Sequence, residues 1–102
     1  MPDDSSLVSR EAIPDLVRRI VADVLMVPLD KVGPQTALVA ELGAESIDFI
    51  DLVFRLEQGL GLKIPLARWG SFIEQRLEGQ DLARAITTDV LREFAEREAG
   101  LG

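Results

Sequence analysis

Ser46, in an acidic and apolar segment, is a candidate nucleophile of this chain. A serine hydroxyl becomes a strong nucleophile when a neighbouring base removes its proton, and that base is most often a histidine. The chain contains no His and no Cys, and neither Lys31 nor Lys63 lies at a recognisable motif spacing from Ser46. Ser46 is therefore interpreted either as a helix N-cap, the ordinary role of such a serine, or as a residue that another enzyme modifies.

The segment around Ser46, residues 41–58, is both acidic and apolar, with five carboxylates against one cation, Arg55. One apolar row at helical spacing predicts a buried face, and it consists of Phe49, Leu52, Val53 and Leu56. A second row mixes apolar side chains with carboxylates and supplies the candidate partner-binding residues Glu45, Ile47, Asp48, Ile50, Asp51, Phe54 and Glu57. This row fits either an exposed surface that docks basic, partly apolar partners or a helix buried on two sides, and periodicity leaves both open.

A long amphipathic helix is predicted before this segment. Ser9 is its expected N-cap, Pro14 fits its first turn, and Pro28 ends it. Its inward face recurs at helical spacing and consists of Ile13, Leu16, Val17, Ile20, Val21, Val24 and Leu25. Residues 1–9 are predicted to be a loose lead-in.

Residues 28–45 contain two Pro, two Gly and no sustained periodicity, so they predict a long loop, a feature that often accompanies function. The expected anchors of this loop to the core are Val32, Leu38 and Leu42. Ser46 is then expected to be the N-cap of a second helix that ends near Gln58, because Gly59 and Gly61 follow.

The remainder of the chain predicts further short helices. Residues 62–65 are an apolar connector, and a capping-box pattern at residues 71–74 predicts a third helix that ends at Gly79. Residues 81–86 suit a short helical turn. Thr88 is the expected N-cap of a last helix whose inward residues are Val90, Leu91, Phe94 and Ala95. Because no segment alternates like a strand, the predicted fold class is all-α, a three- to four-helix bundle in a single domain over residues 1–102.

Charge and composition exclude several classes of protein. The formal net charge is −7 and the isoelectric point is about 4.5, which disfavours nucleic-acid binding and favours partners with basic surfaces. The absence of His and Cys argues against a metal site. Residues 1–6 lack the pattern of a signal peptide, and no apolar run reaches the roughly 20 residues of a membrane-spanning helix. We therefore expect a cytoplasmic monomer without stable membrane insertion.

The run Glu41-Leu-Gly-Ala-Glu-Ser-Ile-Asp48, followed by the apolar row above and then by Leu62-Lys-Ile-Pro65, resembles the acyl carrier protein family. In that family a Gly-x-Asp-Ser-Leu motif opens the second helix, and its Ser receives 4′-phosphopantetheine from coenzyme A. Ser46 matches that Ser, and Asp48 matches the acidic residue two positions later. The resemblance extends over about residues 12–98.

This resemblance implies a carrier and not an enzyme. Its cofactor would be 4′-phosphopantetheine, attached to Ser46 by a phosphopantetheinyl transferase, and its cargo would be acyl thioesters of fatty acid or lipid biosynthesis. The implied partners include ketosynthase, dehydratase, reductase and acyltransferase enzymes. Two departures from the motif are mild: Glu45 stands where the family usually has Asp, and Ile47 stands where it usually has Leu.

A larger departure is an insertion at residues 66–78, which predicts an extra helical segment near 69–79. Trp69, Phe72 and Ile73 recur there at helical spacing. They are interpreted either as an enlargement of the core or as contacts with a long acyl chain or a dedicated partner. Residues 48–54 and 63–69 are similar to a specialised branch of the family that carries very long-chain hydroxy fatty acids toward lipid A.

Two other functions are compatible with the same residues. One is a carrier of aminoacyl, peptidyl or polyketide intermediates, which has the same fold and the same serine. The other, from a different class, is a helical interaction module that is never modified.

Overall fold

A computed structural model describes residues 9–101, and over that range the fold is all-α, as predicted. Its α-helices are α1 (Ile13–Leu25), α2 (Ser46–Leu60), α3 (Leu66–Arg76), α4 (Leu82–Ala85) and α5 (Thr88–Glu98). Short 3₁₀ turns cover Arg10–Ala12 and Leu29–Lys31. The bundle thus has four helices of three turns or more, and α4 is the short turn predicted at residues 81–86. Apart from Ser9, the predicted lead-in lies outside the described residues.

Helix α1 supplies the centre of the core, as its periodicity predicts. Ile13, Val17 and Val21 are fully buried, and α1 packs against both α2 and α5. Pro14 lies in the first turn, where its missing N–H removes no helical hydrogen bond. Helix α1 ends at Leu25, three residues before Pro28.

The predicted long loop, residues 28–45, is fixed to the core and to helices α4 and α5. Val32 and Leu38 are fully buried and Leu42 packs against the core, so the three predicted anchors are confirmed. Backbone contacts join the loop to α4 and α5: Leu38 N–H to the Ile86 carbonyl (2.9 Å), Ala40 N–H to the Ala83 carbonyl (3.0 Å), and an antiparallel bridge between Ala37 and Thr87. The loop is irregular but fixed, because these contacts satisfy its backbone groups.

Two helices begin one residue away from the predicted N-caps. Glu45, not Ser46, is the N-cap of α2, with extended φ −110° and ψ 169°, and Ser46 is the first helical residue. Thr87, not Thr88, caps α5, and its Oγ1 accepts the Val90 N–H at 3.2 Å. In both places two adjacent residues have side chains that can cap a helix. The direction in which the chain enters the helix, which the sequence does not reveal, selects between them.

The predicted bounds of the third helix were wrong at both ends. Helix α3 begins at Leu66 and ends at Arg76, whereas the prediction ran from Ser71 to Gly79. Pro65 is the N-cap of α3 in an extended conformation, and the fixed φ of proline favours that place. Ser71 therefore lies in mid-helix, where the capping pattern has no function.

Helix α2 continues through Gly59, where the prediction ended it, and reaches Leu60. Leu60 is buried, and a methyl group on Gly59 would lie 3.1 Å from the Leu16 side chain of α1. This glycine therefore serves the close packing of α1 on α2, and the helix ends instead at Gly61, whose φ is 69°.

Candidate functional site

Ser46 is exposed at the N-terminus of α2, and a fixed turn leads into it. Gly43 has φ 74°, a left-handed conformation that glycine adopts without strain. Ala44 is buried and donates its N–H to the Leu38 carbonyl at 2.9 Å. The Ser46 hydroxyl is therefore accessible to a partner while the backbone on both sides of it is held in place.

The surroundings of Ser46 fit a phosphate ester on its hydroxyl. Helix α2 is 15 residues long, and the free N–H groups and dipole at its N-terminus favour an anion. Asp48 Oδ2 accepts the Glu45 N–H at 2.8 Å, so this carboxylate closes the first turn of the helix. Glu45 is also exposed, so its charge is accessible to a basic partner.

The second apolar row of α2 faces solvent. Ile47, Ile50 and Phe54 are 68%, 52% and 53% exposed, while Leu52, Val53 and Leu56 on the other face are buried. Burial of α2 on two sides is therefore excluded. A row of large apolar side chains on one exposed helix face is typical of an interaction surface.

Three of the predicted partner-binding carboxylates also make contacts within the chain. Asp48 closes the helix start as described above. Asp51 lies 3.5 Å from the Arg55 guanidinium, which also lies 3.8 Å from Asp23 of α1. Glu57 Oε2 accepts the Ile64 N–H at 2.7 Å and so holds the connector to α3. The acidic face of α2 thus both presents charge and stabilises the fold.

The inserted helix α3 places its aromatic residues inside the molecule. Trp69 and Phe72 are buried, and Ile73 is half-buried against the core. Trp69 stacks on Phe49 at 5.8 Å between ring centroids and meets the edge of Phe94 at 5.2 Å. These contacts enlarge the core, which is the first of the two interpretations that the insertion left open.

Two ion pairs fasten α3 to α5 on the surface. The Arg68 Nε donates to both carboxylate oxygens of Glu98 at 2.9 and 3.0 Å. Arg76 donates to both oxygens of Glu93, at 2.7 and 3.0 Å. The Arg76 pair is bidentate, which fixes orientation as well as distance, whereas Arg68 shares one N–H between both oxygens of Glu98. Together the two pairs hold α3 on α5 near both ends of α3.

Met26 is a structural feature that the sequence did not indicate. It takes φ 57° and ψ 48° at the C-cap of α1, a position where glycine is usual. A glycine after Leu25 would have indicated this left-handed turn, and the methionine gives no such signal.

Within residues 9–101, no group of three or more His, Cys, Asp or Glu side chains is placed to hold a metal ion. In the same part of the chain, no helix combines the length and the hydropathy that a membrane crossing needs.

Comparisons with known proteins give one family and several relatives. The family model described as "Phosphopantetheine attachment site" matches residues 15–68. Proteins named "Acyl carrier protein AcpXL" from Mesorhizobium japonicum and Brucella melitensis are each 36% identical to this chain over 55 residues. The protein of that name from Rhizobium meliloti is 34% identical over 55 residues. The first two matches cover 54% of this chain and 59% of each relative, and the third covers 54% and 58%. The chain therefore spans less than two thirds of the length of the curated relatives it matches.

Proposed function

Because the chain belongs to the phosphopantetheine attachment site family, we propose that it is an acyl carrier protein whose 4′-phosphopantetheine arm is attached to Ser46. Ser46 is the only serine among the residues that the family model matches. It is exposed, and it begins a helix whose N-terminus favours a phosphate. This coincidence of the family match with a single accessible serine is the observation that supports the proposal most directly.

The attachment is a phosphoryl transfer from coenzyme A. The Ser46 Oγ forms a bond to the phosphorus next to the pantetheine, and the pyrophosphate bond to the nucleotide part breaks. Adenosine 3′,5′-bisphosphate leaves, and a base of the transferase takes the serine proton. A second protein is expected to supply that base, because this chain has no His to take the serine proton.

The arm supplies the thiol that this chain lacks. The protein has no Cys, so a thioester to the cargo requires a prosthetic sulfhydryl group. Ser46 holds the arm at the exposed end of α2, next to the row Ile47, Ile50 and Phe54. The chain therefore acts as a carrier that presents its cargo, and the enzymes that dock on it perform the chemistry.

The cargo is an acyl chain of fatty acid or lipid biosynthesis. The names of the curated relatives support acyl cargo over aminoacyl, peptidyl or polyketide cargo. The similarity of residues 48–54 and 63–69 to the branch for very long-chain hydroxy fatty acids supports an unusually long chain. Phe49 lies three residues, about one helical turn, after Ser46 on α2, and it stacks on Trp69 of α3 at 5.8 Å between ring centroids.

The partners are a phosphopantetheinyl transferase and biosynthetic enzymes of the ketosynthase, dehydratase, reductase and acyltransferase classes. Their shared recognition surface is the exposed face of α2, formed by Glu45, Ile47, Asp48, Ile50, Asp51, Phe54 and Glu57. The carboxylates would attract basic partner surfaces, and the apolar side chains would supply the buried contact area.

The first experiment is intact-mass measurement after incubation with coenzyme A and a broad-specificity phosphopantetheinyl transferase. Wild type and Ser71→Ala, which removes an exposed serine outside the matched range, are expected to gain one phosphopantetheine group. Ser46→Ala is expected to gain nothing. If wild type gains no mass with several transferases, the carrier proposal fails. An unmodified helical interaction module then becomes the better interpretation.

A further inference from the structure

A groove runs between α3 and α5, and the described residues that line it all belong to these two helices. It has a volume of about 410 Å³ and is open to solvent. The buried ring of Phe72 contributes to its lining, together with Arg68 and Ser71 of α3 and Arg97 of α5. Because an open groove leaves one side of its occupant in water, it suits a segment of another protein better than an enclosed small molecule.

Two guanidinium groups of the groove have hydrogen-bonding capacity to spare. Arg68 meets Glu98 through Nε alone and its side chain is 60% exposed, so its terminal NH₂ groups can reach a further acceptor. Arg97 lies 5.5 Å from the centroid of the Phe72 ring, and no carboxylate within residues 9–101 forms an ion pair with it. The groove therefore has two cations against one carboxylate, in a chain whose net charge is −7.

Gly70 is a second, independent feature of the same side of α3. It lies in the middle of the helix with ordinary helical backbone, a place where glycine is less stable than alanine. A methyl group on Gly70 would meet nothing within 4 Å, so the fold itself does not require glycine. Gly70 is exposed and lies three residues after Ala67, which lines the groove. A partner that packs closely on α3 would explain it.

We propose that the groove between α3 and α5 is a second docking surface, and that its occupant is an acidic segment of a partner protein whose carboxylates bind Arg68 and Arg97. Charge complementarity decides the chemistry of the occupant, because guanidinium groups pair with carboxylates through two N–H donors. A second copy of this chain fits less well, since two copies of net charge −7 repel each other. The inference goes beyond the proposed function, because it involves neither Ser46 nor the exposed face of α2.

The test is a phage-displayed library of random peptides, selected on wild type and depleted on Arg97→Glu. Depletion removes peptides that bind α2 or any other surface. The remaining peptides are expected to carry more Asp and Glu than Lys and Arg, and their Kd is expected to rise about tenfold in Arg97→Glu. The matched control is Arg19→Glu on α1, where the side chain is 69% exposed. It makes the same change in net charge and is expected to retain the wild-type Kd.

A second variant guards against misfolding of Arg97→Glu. Gly70→Gln favours the helix and adds a side chain beside the groove, so the melting temperature is expected to stay the same or rise. The same variant is expected to raise the Kd of the selected peptides about tenfold. A wild-type Kd in Gly70→Gln would overturn the close packing of a partner on α3.

The other outcomes also decide the inference. Selected peptides without an acidic excess, or an equal loss of binding in Arg97→Glu and Arg19→Glu, would overturn it. Sedimentation of wild type as a dimer that Arg97→Glu dissociates would identify a second copy as the occupant. Binding to phosphatidylglycerol vesicles that Arg97→Glu abolishes, with no peptide selected, would identify a lipid surface, and both results would overturn the proposal. Arg97→Glu is expected to gain phosphopantetheine as wild type does, so failure of the carrier proposal is a separate result.

Discussion

Phe49 and Trp69 stack with their ring centroids 5.8 Å apart and their planes inclined by 15°. Phe49 lies three residues after Ser46 on α2, and Trp69 is buried on α3. Trp69 continues to Phe94 of α5, so one aromatic cluster joins the helix that begins at the proposed attachment site to the inserted helix and the last helix. The insertion is therefore part of the core of this protein.

Truncation of Trp69 should consequently lower the stability of the whole domain. Trp69→Ala removes a large buried side chain and is expected to reduce the free energy of unfolding by about 3–5 kcal/mol. Trp69→Phe retains an aromatic ring and is expected to lose clearly less. Urea denaturation followed by circular dichroism measures both, and equal losses in the two variants would contradict an aromatic role at this position.

The same aromatic cluster allows a test of whether α3 influences the length of acyl chain that the protein prefers to carry. Shortening both Trp69 and Phe72 to Ala is expected to shift the preferred cargo toward longer acyl chains, because it opens volume beside Phe49. The measurement is the rate of enzymatic acyl transfer to the modified protein across a series of chain lengths. A profile with unchanged preference in a protein of lower stability would assign these residues to the core alone.

Phe54 on the exposed row should matter for docking and not for folding. Phe54→Ser is expected to change the free energy of unfolding by less than about 0.5 kcal/mol, because the side chain is half exposed. The KM of the phosphopantetheinyl transferase is expected to rise about tenfold, as for a central interface residue. Leu82→Ser on α4, with 43% exposure, is the matched control. Equal KM values for the two variants would place the docking surface elsewhere.

Glu57 was predicted to contact partners, and the structure gives it an internal hydrogen bond as well. Glu57→Ala removes the acceptor of the Ile64 N–H and is expected to cost about 1–3 kcal/mol of stability. Glu57→Gln keeps an acceptor oxygen and loses the charge, so its stability should stay close to wild type. If Glu57→Gln leaves stability intact and still weakens transferase binding, the charge of Glu57 acts in docking. Unchanged transferase binding would show that Glu57 contributes to stability and not to docking.

Stability is expected to fall in acid through two carboxylates of α5. The hydrogen bond from Arg92 Nε at 2.7 Å lowers the pKa of Asp89, and the bond from Arg76 at 2.7 Å lowers the pKa of Glu93, while burial opposes both shifts. A carboxyl group whose pKa is lowered by folding stabilises the protein above its unfolded pKa, and the effect is lost as pH falls through the folded pKa. The melting temperature should therefore decline below about pH 4.

The control for this pH dependence is the double variant Asp89→Asn with Glu93→Gln. It removes the two titrating groups, so its melting temperature should decline less steeply below pH 4 than that of wild type. Parallel profiles of the two proteins would show that other groups determine the acid sensitivity.

The local sequence determined the elements that depend on periodicity and on single residues. The apolar spacing of α1 specified its buried face, because one side of a 3.6-residue helix must meet the core. The motif around Ser46 identified the candidate attachment site, and its surroundings in the structure fit that assignment. The anchors of the long loop were also predictable, since burial of a large apolar side chain in an otherwise polar segment is energetically favourable.

The tertiary structure determined the features that depend on which other parts of the protein each helix or loop packs against. Exposure of Ile50 and Phe54 could not be read from the sequence, because a helix with two apolar rows is equally compatible with burial on both sides. The hydrogen bond from Ile64 to Glu57 and the left-handed turn at Met26 follow from the path of the chain between helices. Periodicity describes which residues share a face, but only the packing of the other helices determines whether that face meets protein or water.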